Sequence, residues 1–213
     1  MQAKESSTNP NSWLRQHWHR VLAHTAGLFT LAWLVLEYAL QGDSFTFNRT
    51  LMLRTGSASL ALLVASFACT PLSRLLGWPR LVQVRRALGL YGFFYALGHV
   101  WNYAVFEAGL TLELILRDLE ERRAMLIGLI ALALLIPLAL TSTRGWQQRL
   151  GKHWSTLHRL VYVAVPLSVW HYLWLDRDII TLPLIYAIVV GGLLALRLGI
   201  VRRALRRLFM GKA

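Results

Sequence analysis

The chain has 213 residues, of which 56% are hydrophobic and 15% are charged, and its mean hydropathy is +0.46. Polar surface in a chain of this length could not cover so many apolar side chains, so the composition excludes an ordinary soluble domain and indicates a polytopic membrane protein. The net charge of +13 would suggest nucleic-acid binding in a soluble chain, but membrane topology explains it better here. A single cysteine, Cys69, excludes an intramolecular disulfide and a cysteine-held cluster.

Six apolar segments each approach the roughly 20 residues with which a helix crosses a bilayer. We therefore predict an all-α membrane protein with six transmembrane helices and no internal repeat. The N-terminal segment is 1–20, the six-helix domain is 21–200, and the basic tail is 201–213. The predicted spans are 21–40, 55–72, 87–106, 124–141, 154–175 and 179–200.

The basic residues indicate the orientation of these spans. Most of the 23 lysines and arginines lie before the first span, between the second and third, between the fourth and fifth, and after the sixth. The positive-inside rule places this side in the cytoplasm, with both termini. On the opposite side, residues 107–123 are rich in acidic residues and leucine, and we expect an amphipathic helix there, either a connector or a docking face for a periplasmic partner.

Two histidines lie at matching depth in the predicted spans. His99 is 13 residues beyond Arg86 in the third span, and His171 is 12 residues beyond Arg159 in the fifth. Both spans run outward from the cytoplasm, so both imidazoles reach the outer half of the membrane at nearly the same level. Facing imidazoles in a helical bundle are what axial ligation of a b-type haem requires, and we predict this role for the pair. The alternative is a pair of core histidines that bond to carbonyls or hydroxyls.

His158 lies near the cytoplasmic end of the fifth span, opposite Arg85 and Arg86 of the third. Guanidinium stays protonated and cannot replace imidazole on iron, so an inner haem at His158 needs His24 or His153 as a second ligand, or is five-coordinate. Arg85 and Arg86 are candidates to bind haem propionates or a flavin phosphate, or are ordinary positive-inside residues. The remaining two histidines, His17 and His19, are expected on the surface.

Two stretches carry a family resemblance: LTSTRGWQQRLGKHWSTLHRLVYVAVPLSVWHYLW at 140–174 and RRALGLYGFFYALGHVWNY at 85–103. They resemble the ferric reductase-like transmembrane domain shared with NADPH oxidases and, more closely, the MsrQ family of haem-binding membrane subunits in bacterial periplasmic methionine-sulfoxide reductase systems. In the wider family two helices each supply two histidines for two stacked haems. By this resemblance His99 and His171 match the outer pair and His158 one inner ligand, while the fourth position falls near Arg85 or Arg86.

The resemblance implies a multi-pass protein of the bacterial inner membrane that carries one or two b haems, with FMN and quinone as further candidate cofactors. It implies electrons from the quinone pool or a cytoplasmic flavin reductase, passed to a periplasmic molybdenum-cofactor subunit that repairs oxidised methionine. The chain would then be the electron-transfer subunit rather than the substrate-reducing enzyme. No glycine-rich dinucleotide motif is present, so we expect no NAD(P)H site of its own.

Two other functions stay open at this point. One is a ferric or oxygen reductase that acts alone, which needs its own substrate site and electron source. The other is a haem-free transporter or assembly factor in which histidines relay protons. That function favours acidic residues within the spans, yet only Glu37 lies inside one.

Overall fold

The computed structural model describes residues 10–41, 45–175 and 181–198, with side chains from residue 17 onward except 41–46. All regular structure in these ranges is helical, as the sequence predicts. A π-helical turn (Tyr103–Glu107) follows the third helix, and a 3₁₀ turn (His158–Leu160) precedes the eighth. The helices are α1 (Pro10–Gln41), α2 (Phe45–Leu75), α3 (Arg80–Asn102), α4 (Leu112–Glu121), α5 (Arg123–Leu140), α6 (Arg144–Leu150), α7 (Lys152–Leu157), α8 (Val161–Leu175) and α9 (Thr181–Ala195).

Three stretches within these helices are long and apolar enough to cross a membrane: His17–Leu40, Phe47–Leu75 and Arg123–Leu140. They correspond to the first, second and fourth predicted spans. The helix α9 is apolar but has 15 residues, and the predicted sixth span extends beyond it into residues that the structure does not describe. The fold therefore fits a membrane protein, while six spans and cytoplasmic termini remain predictions. The basic tail and the first nine residues lie outside the described residues.

The third and fifth predicted spans differ in detail from the helices observed. The helix α3 begins earlier than predicted, at Arg80, and ends at Asn102, where the π turn begins. The fifth predicted span is broken, because α7 ends at Leu157 and the 3₁₀ turn separates it from α8. Pro166 lies inside α8, and the irregular turn comes before it.

Four helices form the central bundle, in which α2 packs on α3, α5 packs on α8, and the two pairs meet through α3 with α5 and α2 with α8. This order places α3 and α8 diagonally across the bundle. Small residues allow α2 and α3 to approach closely: the Ser59 hydroxyl donates to the carbonyl of Gly92, 2.9 Å away, and Ser66 donates to the carbonyl of Arg85, 2.8 Å away. Such residues are typical of helix contacts in membranes.

The main apolar core lies in this bundle and extends to α9. Phe67 of α2 is 1% exposed, and Ala164 and Val165 of α8 are fully buried. By contrast, α1 packs mainly on α3 and leaves large apolar side chains such as Phe29 and Trp33 exposed. An outward apolar face is what a lipid-facing helix requires, because lipid tails do not penalise exposed hydrocarbon.

The region predicted to form an amphipathic helix does so, as α4. None of its residues is buried, and it is fastened to the end of α3 by the Tyr103 hydroxyl, which donates to the Asp118 carboxylate 2.5 Å away. Arg122 lies 3.5 Å from the same carboxylate. These contacts hold α4 against the end of the bundle at which His99 and His171 lie.

Candidate bis-histidine site

The two histidines predicted as a pair from their depth lie together in the structure. His99 comes from α3 and His171 from α8, the two diagonal helices of the bundle, so each imidazole points across the centre. Their ring centroids are 6.3 Å apart, and the ring planes are 77° from parallel. Both side chains are half-buried.

Each imidazole is oriented by a main-chain carbonyl of a neighbouring helix. The Nδ1 atom of His99 is 2.9 Å from the carbonyl oxygen of Met52 in α2, and the Nδ1 atom of His171 is 2.6 Å from that of Ala124 in α5. A carbonyl only accepts hydrogen bonds, so in the neutral imidazole the proton sits on Nδ1. The Nε2 atom of each ring therefore keeps its lone pair. A metal-bound histidine is commonly oriented in this way.

The separation of the rings fits a metal held between two Nε2 atoms. A bond of about 2 Å from metal to imidazole nitrogen on each side, with about 1 Å more to each ring centre, gives a centroid separation of roughly 6 Å. The observed separation is 6.3 Å. Within the described residues no group of three or more histidine, cysteine or acidic side chains is placed to hold a metal ion. The arrangement therefore suits two axial ligands of a haem, whose porphyrin supplies the other donors.

His158 has a different environment. Its ring stacks on Trp154, with centroids 4.0 Å apart, and its Nε2 atom is 3.1 Å from the hydroxyl of Thr141. That hydroxyl already donates its hydrogen to the carbonyl of Pro137, 2.6 Å away, so His158 donates from Nε2. The Nε2 atom, which is unprotonated in His99 and His171, is thus protonated in His158. These contacts do not support axial ligation by His158. A second haem at this level stays a prediction from the family resemblance.

The other candidate residues are not gathered around a second imidazole. Arg85 lies close enough to His158 for their charges to interact, and its guanidinium donates to the Thr70 hydroxyl 3.3 Å away. Arg86 is exposed. His24 lies on the exposed side of α1, with Nδ1 3.0 Å from the hydroxyl of Tyr91, and His153 is exposed. The proposed roles of these residues in cofactor binding remain predictions.

One histidine expected on the surface is buried instead. His19 is 7% exposed, and its Nε2 atom lies 3.0 Å from the side-chain oxygen of Gln83 in α3. Trp18 and Trp78 pack beside it, with ring centroids 5.5 Å apart. These contacts attach the start of α1 to α3.

Two glycines that the sequence analysis did not single out lie against the histidine pair. Gly56 of α2 lies beside the imidazole of His99, and Gly128 of α5 lies beside that of His171. A signal for them was present in the sequence, because the two glycines are separated by the same interval as the two histidines. Glycine is common in membrane helices, so it did not stand out without the structure.

A cavity of about 720 Å³ lies between α1, α2 and α3, beside this site. Its lining is mainly apolar and includes Thr55 and Gly98, the sequence neighbours of Gly56 and His99, but neither histidine of the pair. Asn102 contributes an amide to the wall and donates it to the Thr55 hydroxyl at 3.5 Å. The cavity is therefore next to the pair rather than between its two rings.

Together, the apolar helical bundle and the imidazole pair define a class of protein, a helical membrane protein with a candidate axial ligand pair for a redox metal centre. Residues 55–169 match the family model described as the ferric reductase like transmembrane component, which covers more than half of the chain. The chain belongs to this family. Its members commonly bind haem, and membership indicates electron transfer within a membrane. His99 and His158 fall inside the matched region, and His171 lies two residues beyond it.

Proposed function

We propose that this chain is the haem b subunit of a transmembrane electron-transfer system, with His99 and His171 as the axial ligands of its outer haem. The observation that carries the proposal is the paired orientation of the two rings. Each Nδ1 lies on a carbonyl, which leaves each Nε2 unprotonated, and the ring centroids are 6.3 Å apart. Two histidines with only structural roles would not need an unprotonated Nε2 on each of two rings that lie this close together.

A haem held by His99 and His171 would supply a one-electron redox centre suited to electron transfer rather than oxygen chemistry. The residues of this chain position that centre. The carbonyls of Met52 and Ala124 fix the orientation and proton position of each imidazole, and the four-helix bundle holds α3 and α8 at a constant separation. Val100 and Tyr172, the sequence neighbours of the two histidines, pack against the apolar core of the bundle.

The direction of transfer is part of the same proposal. Electrons enter from the quinone pool or a cytoplasmic flavin reductase, and they leave from the outer side to a periplasmic molybdenum-cofactor subunit that reduces methionine sulfoxide in oxidised proteins. Support for this direction comes from the resemblance of residues 140–174 to the MsrQ family and from the charge asymmetry of the connections. The chain would reside in the bacterial inner membrane, with six spans and both termini in the cytoplasm.

Additional cofactors are also proposed on the resemblance alone. A second haem at His158 and bound FMN would both lie towards the cytoplasmic side, where Arg85 and Arg86 offer positive charge for propionates or a phosphate. The contacts of His158 with Thr141 and Trp154 do not supply a free Nε2 for this second haem.

A transporter that relays protons needs acidic side chains within its spans, and Glu37 is the one acidic residue predicted inside a span. Glu37 of α1 lies 3.2 Å from Arg54 of α2, whose guanidinium also stacks over Trp33 at 5.8 Å. This ion pair fastens α1 to α2. The ion pair gives Glu37 a structural role, so Glu37 does not support the proton-relay function.

The experiment is to reduce the purified protein in liposomes and follow the haem absorbance after addition of a periplasmic methionine-sulfoxide-reducing molybdoprotein. With the molybdoprotein in catalytic amount, we expect complete reoxidation only when both that protein and methionine sulfoxide, which takes up two electrons and two protons, are present. Equally rapid reoxidation by ferric citrate or oxygen without the molybdoprotein would overturn the proposed partner and favour a reductase that acts alone. A His99→Ala protein, which we expect to lose the haem held by the pair, serves as the matched control.

A further inference from the structure

The contacts of the two histidines repeat in two separate pairs of helices. In the first pair, α2 supplies the carbonyl of Met52 to His99 of α3, and in the second, α5 supplies the carbonyl of Ala124 to His171 of α8. In both cases the carbonyl lies 47 residues before its histidine. In both cases a glycine, Gly56 or Gly128, lies four residues after the carbonyl.

The four-residue interval has a geometric consequence. A helical side chain leans towards the N-terminus of its helix and covers the turn that precedes it. A side chain at position 56 would therefore cover the carbonyl of Met52, and one at 128 would cover that of Ala124. Glycine leaves each carbonyl open, and the second lone pair of the oxygen can then accept the imidazole N–H while the helical hydrogen bond is kept.

The distances show how little space remains. A Cβ atom at Gly56 would lie 2.9 Å from Nδ1 of His99, and one at Gly128 would lie 2.7 Å from Nδ1 of His171. Both distances are shorter than van der Waals contact. By contrast, a Cβ atom at Gly98, beside His99 in α3, would meet nothing within 4 Å. Close approach to the paired imidazoles therefore occurs at Gly56 and Gly128 and not at Gly98.

We propose that Gly56 and Gly128 are positioning residues for the haem ligands, because each allows an imidazole to donate its Nδ1 proton to a helix carbonyl, which keeps Nε2 unprotonated on a ring that lies close to its partner. This inference rests on the proposed function. The glycines do not contact the metal themselves; they act through the orientation and proton position of His99 and His171. Loss of such outer partners typically weakens metal binding by about 10–100-fold.

An imidazole is the flexible end of its side chain, so a new methyl group can displace it without disrupting the helices. Alanine also forms helix better than glycine. We therefore expect Gly56→Ala and Gly128→Ala proteins to fold and to lose haem, rather than to fail to fold. The effect should be larger for Gly128→Ala, since the Cβ there approaches more closely.

The test compares wild type, Gly56→Ala, Gly128→Ala and the matched control Gly98→Ala, each purified in detergent from haem-replete cells. The readouts are haem per chain, the rate of haem transfer to apomyoglobin, and the electron paramagnetic resonance spectrum of the oxidised protein. We expect haem transfer to apomyoglobin to be about 10–100-fold faster in Gly56→Ala and Gly128→Ala than in wild type, with altered low-spin signals. Gly98→Ala should behave like wild type. Wild-type haem retention and spectra in all three variants would overturn the inference.

A second measurement separates this inference from the proposed function. In haem-free protein, Gly56→Ala is introduced with His99 intact and with His99→Ala, and the thermal unfolding midpoints are compared as a double-mutant cycle. We expect the alanine to raise the midpoint more when the imidazole is absent. Equal effects in the two backgrounds would contradict the contact. A colourless wild-type protein would contradict the proposed function, whereas coloured wild type with unaffected glycine variants would contradict only the positioning role.

Discussion

His99 and His171 face each other from diagonal helices with their ring planes 77° apart, and each is bound through Nδ1 to the backbone of a different neighbouring helix. The planes are therefore fixed by two independent contacts. Because the carbonyls of Met52 and Ala124 cannot be removed by side-chain substitution, the relative orientation of the rings is a property of how the four helices pack.

Nearly perpendicular imidazole planes have a spectroscopic consequence. In oxidised low-spin haem they leave two iron d orbitals close in energy, so the electron paramagnetic resonance spectrum is strongly anisotropic, with one large g value. We expect this signal from the purified wild-type protein, given the angle of 77°. A spectrum of moderate anisotropy, typical of parallel planes, would contradict the ring orientation.

Removal of either ligand should eliminate the same haem. We expect His99→Ala and His171→Ala each to lose the low-spin haem that depends on both rings, because one axial imidazole cannot hold six-coordinate iron alone. His158→Ala should retain that haem, since His158 bonds to Thr141 and stacks on Trp154 instead. The measurement is haem per chain with the reduced-minus-oxidised spectrum.

The exposed His153 provides the matched control for those three variants. His153→Ala should match wild type in both haem content and spectrum. If His171→Ala kept the wild-type low-spin spectrum, the pairing of His99 with His171 would be wrong.

Sequence reasoning could place the histidine pair because depth follows from counting residues along two outward-running spans. The proximity of His99 and His171, at 6.3 Å between centroids, agrees with that prediction. The sequence could also predict α4, since its acidic and leucine residues alternate with helical periodicity. Both predictions depend on regular helical geometry alone.

Other features depend on contacts between helices and were not predictable. The proton position on His158 is set by Thr141, the residue that follows α5, whose hydroxyl donates to the carbonyl of Pro137. Burial of His19 depends on its contact with Gln83, 64 residues away. Similarly, the positioning role of Gly56 and Gly128 can be inferred only from the imidazole rings that lie against them.

Thr141 is expected to stabilise the end of the bundle at which His158 lies. Thr141→Val keeps the shape of the side chain but removes the acceptor for the half-buried His158, and a donor left without a partner costs at most about 1–3 kcal/mol. The thermal unfolding midpoint in detergent should fall, while the spectrum of the outer haem stays unchanged.

Ser142→Ala is the control for Thr141→Val. The Ser142 hydroxyl donates to the carbonyl of Leu138, four residues earlier in the last turn of α5 and 2.6 Å away, so the contact is local and its removal should have a small effect. Equal midpoints for the two variants would contradict the role of the contact between Thr141 and His158.

Arg197 joins the end of α9 to the bundle. Its guanidinium donates to the carbonyl of Phe67, 2.7 Å away, and lies over the rings of Phe67 and Tyr162, at 4.1 and 4.7 Å from their centroids. Arg197→Leu should lower the free energy of unfolding by about 1–3 kcal/mol, since it removes a charged hydrogen bond. Arg197→Lys should retain only part of this stability, because lysine lacks the planar guanidinium group with its several N–H donors.

The unfolding of Arg197→Leu is compared with that of Arg149→Leu, since the exposed Arg149 lies over Trp146 at 5.6 Å. Exposed pairs of this kind contribute little, about 0.5–1 kcal/mol. A larger loss in Arg149→Leu than in Arg197→Leu would show that α9 is not held by the Arg197 contacts.

The central claim is that the His99 and His171 pair binds haem, and an absorbance spectrum tests it most directly. The protein is purified in detergent from haem-replete cells, recorded oxidised and dithionite-reduced, and its haem is quantified per chain. The account predicts sharp low-spin b-type bands that disappear in His171→Ala. A colourless wild-type protein, or low-spin bands that survive loss of His171, would contradict it.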